Sequence, residues 1–165
     1  MAQESRLNGK RILIVDDESD VLDTLESLLP MCNVVKALSF EQAKRLLEEE
    51  VFDIVILDIM GVDGYALLRV ANERNFAAVM LTAHALSVKD TVKSYKMGAA
   101  SYLPKEKLDD IQIFLVDVLE AKEKGESSWW RWLERLESYY NERFGPNWRE
   151  GEKNFGRRSS IGFDS

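Results

Sequence analysis

Apolar and polar residues alternate in a regular order from the start of the chain to about residue 125. Short apolar runs predict five strands, and each run is followed by a stretch with the apolar spacing of a helix. The predicted strands span residues 11–15, 34–37, 52–59, 77–83 and 101–105. Repeated strand–helix units are typical of an α/β fold, with a doubly wound parallel sheet and helices on both faces.

The pattern changes after Gly125, where bulky apolar residues recur at helical spacing. They are Trp129, Trp130, Trp132, Leu133, Leu136, Tyr139, Tyr140 and Phe144. We therefore predict a globular domain over residues 10–125, an amphipathic aromatic helix over 126–145, a flexible N-terminus over 1–9 and a polar, mobile tail over 146–165. The helix has two possible roles: it packs on its own domain, or it docks on a partner or a second copy.

Composition limits the possible functions. The net charge of −7 argues against a surface that binds nucleic acid directly, because phosphate contacts need clustered Lys and Arg. Cys32 is the only cysteine, so an intrachain disulfide and a cysteine metal site are both excluded. No apolar run approaches the roughly 20 residues of a membrane span, so membrane insertion is not expected. We expect a cytoplasmic protein, with His84, the only histidine, exposed in a loop.

Polar side chains stand where the predicted strands end: Asp16 and Asp17, Asp58, Thr82 and Lys105. In a parallel sheet these carboxyl ends lie along one edge, where functional groups gather. Three close carboxylates repel each other, and a hard divalent cation such as Mg²⁺ relieves the repulsion. Asp58 could then act as a nucleophile toward a phosphoryl group, with Lys105 and Thr82 contacting the phosphate oxygens.

Four motifs at these strand ends resemble the receiver domain of two-component response regulators. They are Val15-Asp16-Asp17-Glu18, Leu57-Asp58-Ile59-Met60, Leu81-Thr82-Ala83 and Tyr102-Leu103-Pro104-Lys105. The resemblance covers about residues 10–124 and implies a flavodoxin-like sheet with strand order 2-1-3-4-5. It also implies a phospho-accepting protein whose donor is a sensor histidine kinase or a phosphotransfer protein. Such a receiver is not an enzyme beyond its self-catalysed phosphotransfer and dephosphorylation.

The resemblance also implies a role for each residue around the metal. Asp58 resembles the phospho-acceptor. Asp17 and Asp58 resemble the carboxylates that bind Mg²⁺ directly, and Asp16 resembles the one that acts through water. The backbone carbonyl of Met60, two residues after the acceptor, resembles the third protein ligand.

Three further implied roles concern the phosphate and the response to it. Thr82 and Lys105 match the hydroxyl and the lysine that contact the phosphate. Tyr102 matches the aromatic switch, whose ring turns inward when Thr82 is drawn to the phosphate. The surface near Tyr102 would then act on an unknown output protein, or on self-association through the 129–144 helix. An enzymatic or DNA-binding output domain is not expected.

Two departures from the family pattern leave other functions open. The loop 60–63 is about two residues shorter than usual, and Pro104 precedes Lys105 where the family more often has a proline after the lysine. The short loop favours an alternative, a receiver-like interaction module that works without phosphorylation. A third function, a phosphatase of the haloacid-dehalogenase kind, is disfavoured. That family needs a second aspartate two residues after the nucleophile, and Met60 stands there.

Overall fold

The computed structural model describes residues 6–83 and 87–150. The predictions for residues 1–5, for the exposed loop position of His84 and for the tail beyond residue 150 therefore lie outside the described residues. The boundaries proposed for the domain and its two flanking segments stay predictions.

A five-stranded parallel sheet forms the centre of the domain, in the order β2-β1-β3-β4-β5. The strands are β1 (Arg11–Val15), β2 (Asn33–Ala37), β3 (Ile54–Asp58), β4 (Ala77–Thr82) and β5 (Ser101–Pro104). Every residue of β3 is buried, as expected for a central strand covered on both faces. The predicted sheet and its strand order are confirmed, and the observed strands differ from the predicted ones by at most two residues at either end.

The ends of β3 and β5 differ from the prediction for local reasons. The Asp53 carboxylate accepts a hydrogen bond from the Arg11 amide at 2.8 Å, so the ladder begins only at Ile54. Lys105 does not end β5 but begins a 3₁₀ helix (Lys105–Asp110) that leads into the next α-helix.

Five α-helices connect and follow the strands. They are α1 (Ser19–Leu28), α2 (Phe40–Glu49), α3 (Gly64–Glu73), α4 (Val88–Lys96) and α5 (Ile111–Lys124). Helix α1 packs against α5, and α2 packs against α3. The Ser39 hydroxyl accepts a hydrogen bond from the Gln42 amide at 3.2 Å, which caps the start of α2. None of the helices in the described ranges has the length and apolarity needed to cross a bilayer.

A sixth helix, α6 (Trp129–Phe144), follows the domain. Gly125 adopts a left-handed conformation (φ 69°) that ends α5 and lets the chain turn back. The buried residues of α6 join the main hydrophobic core; they are Trp129, Trp132, Leu133, Leu136 and Tyr140. The predicted aromatic helix is confirmed. Of its two possible roles, the structure has the helix packed on its own domain.

Candidate functional site

Parallel pairing places the ends of three neighbouring strands side by side. Val15 of β1 is in register with Leu57 of β3, so Asp16 lies beside Asp58. Asp58 is in turn in register with Leu81 of β4, which precedes Thr82. The edge of the sheet therefore gathers side chains that are far apart in sequence.

Three of the predicted carboxylates form a cluster at this edge. One oxygen from each of Asp16, Asp17 and Asp58 lies within 4.8 Å of the other two. Asp16 is fully buried and Asp58 is 4% exposed, whereas Asp17 faces solvent. Carboxylate oxygens at this spacing, reachable from solvent on one side, suit a hard divalent cation.

Lys105 is the cation of the site. Its Nζ lies 2.7 Å from Asp16 Oδ2, 3.1 Å from Glu18 Oε1 and 3.4 Å from Asp58 Oδ1. Burial lowers the pKa of Lys105, but its hydrogen bonds to Asp16 and Glu18 and the charges of Asp58 and Asp16 together outweigh burial and leave the pKa above its usual value. The lysine is therefore charged at neutral pH.

Burial also acts on the fully buried carboxyl of Asp16. It raises the pKa of Asp16, and the Lys105 ammonium and the Glu18 amide only partly oppose this effect. The Glu18 amide donates to Asp16 Oδ1 at 2.9 Å. One lysine does not compensate three carboxylates, so the cluster retains negative charge that a metal ion could balance.

The loop after β3 orients the Asp58 carboxylate. The Gly61 amide donates to Asp58 Oδ2 at 3.0 Å, while Lys105 lies near the other oxygen. A Cβ at Gly61 would lie 2.3 Å from Asp17 Oδ1, and one at Gly64 would lie 2.3 Å from the Asp58 carbonyl oxygen. The contacts at Gly64 are with backbone atoms, so the loop requires glycine there, whereas a side chain at Gly61 would displace the exposed Asp17 carboxylate.

Sequence reasoning missed two contributors to this site. It identified the 60–63 loop as short but gave Gly61 no role, although a glycine in a tight loop is a signal of close approach. The first motif includes Glu18, but its contact with Lys105 could not be anticipated from the sequence. Met60 has a side chain that is 79% exposed, and its carbonyl as a metal ligand stays a prediction.

Thr82 and Tyr102 continue the site toward α4. Thr82 is 8% exposed and Tyr102 is fully buried. Burial raises the pKa of Tyr102, and the nearby hydroxyls of Thr91 and Thr82 oppose this rise. Within the described residues, the Tyr102 hydroxyl makes no hydrogen bond of normal geometry. The ring thus points inward, with its hydroxyl near those of Thr82 and Thr91.

Comparison with known proteins agrees with this geometry. A family model described as the response regulator receiver domain matches residues 12–115. The chain is 37% identical over 101 residues to a probable transcriptional regulator, ycf27, of Guillardia theta, and 37% identical over 102 residues to the transcriptional regulatory protein CpxR of Escherichia coli K12. Each match includes 58% of this chain but only 39% and 42% of the respective relative. The chain therefore spans less than half the length of these relatives.

Solved structures give the same result for the fold. A CheY-like receiver domain protein from Methanospirillum hungatei JF-1 is 27% identical with a TM-score of 0.60, covering 72% of this chain and 100% of that one. A receiver domain protein from Clostridium thermocellum is 28% identical with a TM-score of 0.62, covering 69% of this chain and 97% of that one.

Proposed function

Because the chain belongs to the response regulator receiver family, we propose that Asp58 accepts a phosphoryl group from a histidine kinase or a phosphotransfer protein of a two-component system. The convergence of Asp16, Asp17 and Asp58 within 4.8 Å carries this proposal. Lys105, which contacts two of the three carboxylates, supports it further. The protein would act in the cytoplasm, where ATP is available to the kinase.

The acidic cluster fits Mg²⁺ because it offers only oxygen ligands and keeps one side open to solvent. In our proposal Asp17 and Asp58 bind the ion directly, Asp16 acts through water and the Met60 carbonyl completes the protein ligands. When bound, Mg²⁺ supplies positive charge that offsets the carboxylates and the transferring phosphoryl oxygens.

The chain's own groups position the reaction. An Asp58 carboxylate oxygen attacks the phosphorus of a phosphohistidine, a P–O bond forms, and the P–N bond breaks with its electron pair left on the imidazole. The Gly61 amide and Lys105 hold the carboxylate at its two oxygens. Lys105 and the Thr82 hydroxyl then contact the new phosphoryl oxygens. Phosphotransfer is thus self-catalysed, and the protein is not an enzyme in the usual sense.

The alternative, an interaction module that works without phosphate, rests on the short loop 60–63. The loop nevertheless brings the Gly61 amide onto Asp58 at 3.0 Å. A donor at that position favours an acceptor carboxylate held for chemistry, and it therefore supports phosphotransfer over the alternative.

Incubation with Mg²⁺ and acetyl phosphate, followed by intact-mass measurement, tests the proposal. We expect a mass gain of one phosphoryl group that Asp58→Asn abolishes. Asp53→Asn makes the same change at the opposite end of the acceptor strand and should leave the gain intact. Absence of a gain in the unmodified chain, or a gain that survives Asp58→Asn, would refute the proposal.

A further inference from the structure

Helix α6 is attached to the backbone of β5 and to the turn that precedes it. Trp129 Nε1 donates to the Ala99 carbonyl at 2.8 Å, and Trp132 Nε1 donates to the Tyr102 carbonyl at 2.6 Å. The Ser128 hydroxyl donates to the carbonyl of Ala100. These bonds fix the register of α6 against the strand that carries Tyr102.

Charged residues hold the other side of α6 against α5. Arg135 makes two hydrogen bonds to the Asp117 carboxylate, at 2.5 and 3.0 Å. Arg131 contacts Glu120 at 2.5 Å. Asp117 is only 6% exposed although it lies within the apolar face of α5. The face formed by α4, β5 and α5 therefore has both an apolar and an electrostatic match for α6.

A row of buried hydroxyls connects α6 with the acceptor site. The Thr91 hydroxyl of α4 donates to the Ser87 carbonyl at 2.8 Å, so the Tyr140 hydroxyl donates the bond of 2.7 Å that joins it to Thr91. Tyr140 and Thr91 are both fully buried. The Tyr102 hydroxyl, also buried, lies near the hydroxyls of Thr91 and Thr82.

This arrangement restricts Tyr102. Its ring has no exposed surface, and Trp132, bonded to its carbonyl, is itself only 1% exposed. The indole of Trp132 is thus bonded to the backbone of the residue whose ring would turn. The docked helix and the inward ring therefore belong to the same state of the protein.

We propose that α6 is an intramolecular ligand of the α4–β5–α5 face whose docking is coupled to phosphorylation of Asp58 through Tyr102, Thr91 and Tyr140. A phosphoryl group that draws Thr82 toward it favours the inward ring, and the inward ring favours docked α6. Coupling between two sites is reciprocal, so docked α6 also favours the occupied acceptor site. This inference rests on the proposed phospho-acceptor role of Asp58.

Amide hydrogen exchange of the full chain tests the coupling directly. We expect phosphorylation by acetyl phosphate to slow exchange across residues 129–144. The ratio of exchange rates without and with the phosphoryl group should fall by about threefold to tenfold in Tyr140→Phe, the loss expected for one net hydrogen bond. Thr91→Val removes the other end of the bond and should give the same loss. Tyr139→Phe makes the same chemical change one residue earlier and should keep the full ratio.

The ratio separates coupling from simple support of the fold. A merely structural role for Tyr140 would speed exchange equally in both states and leave the ratio unchanged, which would overturn the inference. Reciprocity also predicts that Tyr140→Phe weakens binding of beryllium fluoride, a non-covalent phosphoryl mimic, to the Mg²⁺-loaded chain by the same factor. A phosphorylated chain with unchanged exchange over 129–144 would overturn this inference alone. A chain that gains no phosphoryl mass would overturn the proposed function together with it.

Discussion

Truncation of Trp132 to alanine removes a buried side chain that joins α6 to the domain. The indole is 1% exposed, and its ring centroid lies 5.0 Å from those of Trp129 and Tyr140 and 6.3 Å from that of Trp148. Its Nε1 also satisfies the Tyr102 carbonyl. Trp132→Ala therefore leaves a cavity and a carbonyl without its partner.

The size of the effect follows from these contacts. Truncation of a buried aromatic side chain to alanine costs about 3–5 kcal/mol of unfolding free energy. For a chain of 165 residues, each kcal/mol shifts Tm by about 2–4 °C, so we expect a fall of about 6–20 °C. Trp132→Phe keeps a ring but loses the indole donor, and its Tm should lie between those of the alanine variant and the unmodified chain.

Thermal unfolding followed by circular dichroism, without Mg²⁺, measures the loss. Phe144→Ala is the matched control, because Phe144 ends the same helix and is 37% exposed. We expect it to lower the free energy of unfolding by about 1 kcal/mol or less. A Tm for Trp132→Ala no lower than that of Phe144→Ala would refute the packing of α6 as the source of stability.

Three further changes test the acceptor site and the contact of α5 with α6. Gly61→Ala places a Cβ 2.3 Å from Asp17 Oδ1 and so displaces that carboxylate. We expect the Mg²⁺ affinity measured by calorimetry to fall about tenfold or more, while Tm without metal stays unchanged. An unchanged affinity would contradict this. Lys105→Met leaves the buried Asp16 carboxylate without its cation. Because burial raises the pKa of Asp16, the loss in free energy of unfolding should grow as pH rises above 3.8, the ordinary pKa of this carboxyl, and reach about 3 kcal/mol near neutral pH. Urea titrations measure this loss, and a loss that does not depend on pH would be inconsistent with it. Glu120→Gln removes a carboxylate whose pKa is lowered chiefly by a hydrogen bond from Arg131 of α6. The contribution of this carboxylate to stability is present above its ordinary pKa of 4.5 and is lost as pH falls, so the drop in Tm should be largest near neutral pH and shrink as pH falls below 4.5; a drop that does not depend on pH would disprove the linkage.

The sequence was sufficient to predict the sheet and to group the residues at its edge. Apolar runs followed by helical spacing define strand–helix repeats, and parallel strands of one sheet end along a common edge. Asp16, Asp58 and Lys105 can therefore be grouped from the sequence alone, although Asp16 and Lys105 are far apart in sequence. The short contacts of Lys105 with both carboxylates agree with that grouping.

The contacts of Gly61 and Glu18 depend on local geometry that spacing does not encode. The Gly61 amide reaches Asp58 only because of the backbone path of a shortened loop. Glu18 is an exposed side chain whose contact with Lys105 depends on its rotamer. Periodicity identifies elements and faces, but it does not give the path of a loop or the direction of a surface side chain.

The surface on which α6 packs could not be predicted from the sequence, for a different reason. An apolar helix face matches any apolar surface, so eight bulky residues at helical spacing indicate burial without naming the surface that buries them. The deciding contacts are polar: Arg135 with Asp117, and the Trp132 indole with the Tyr102 carbonyl. Asp117 could have indicated that α6 packs on α5, because an acidic residue within the apolar face of α5 requires a basic partner.

The position of β5 bears on the proposed coupling between α6 and Asp58. β5 is an edge strand of the sheet, and an edge strand exposes backbone groups that can pair with another chain. The Trp132 indole donates to the carbonyl of Tyr102 on this strand, so one side chain of α6 both protects the edge and contacts Tyr102. The same strand ends at Pro104, immediately before Lys105. A displacement of β5 that releases α6 would therefore also move the lysine that contacts Asp58, which gives the proposed coupling a second physical route besides the hydroxyl row.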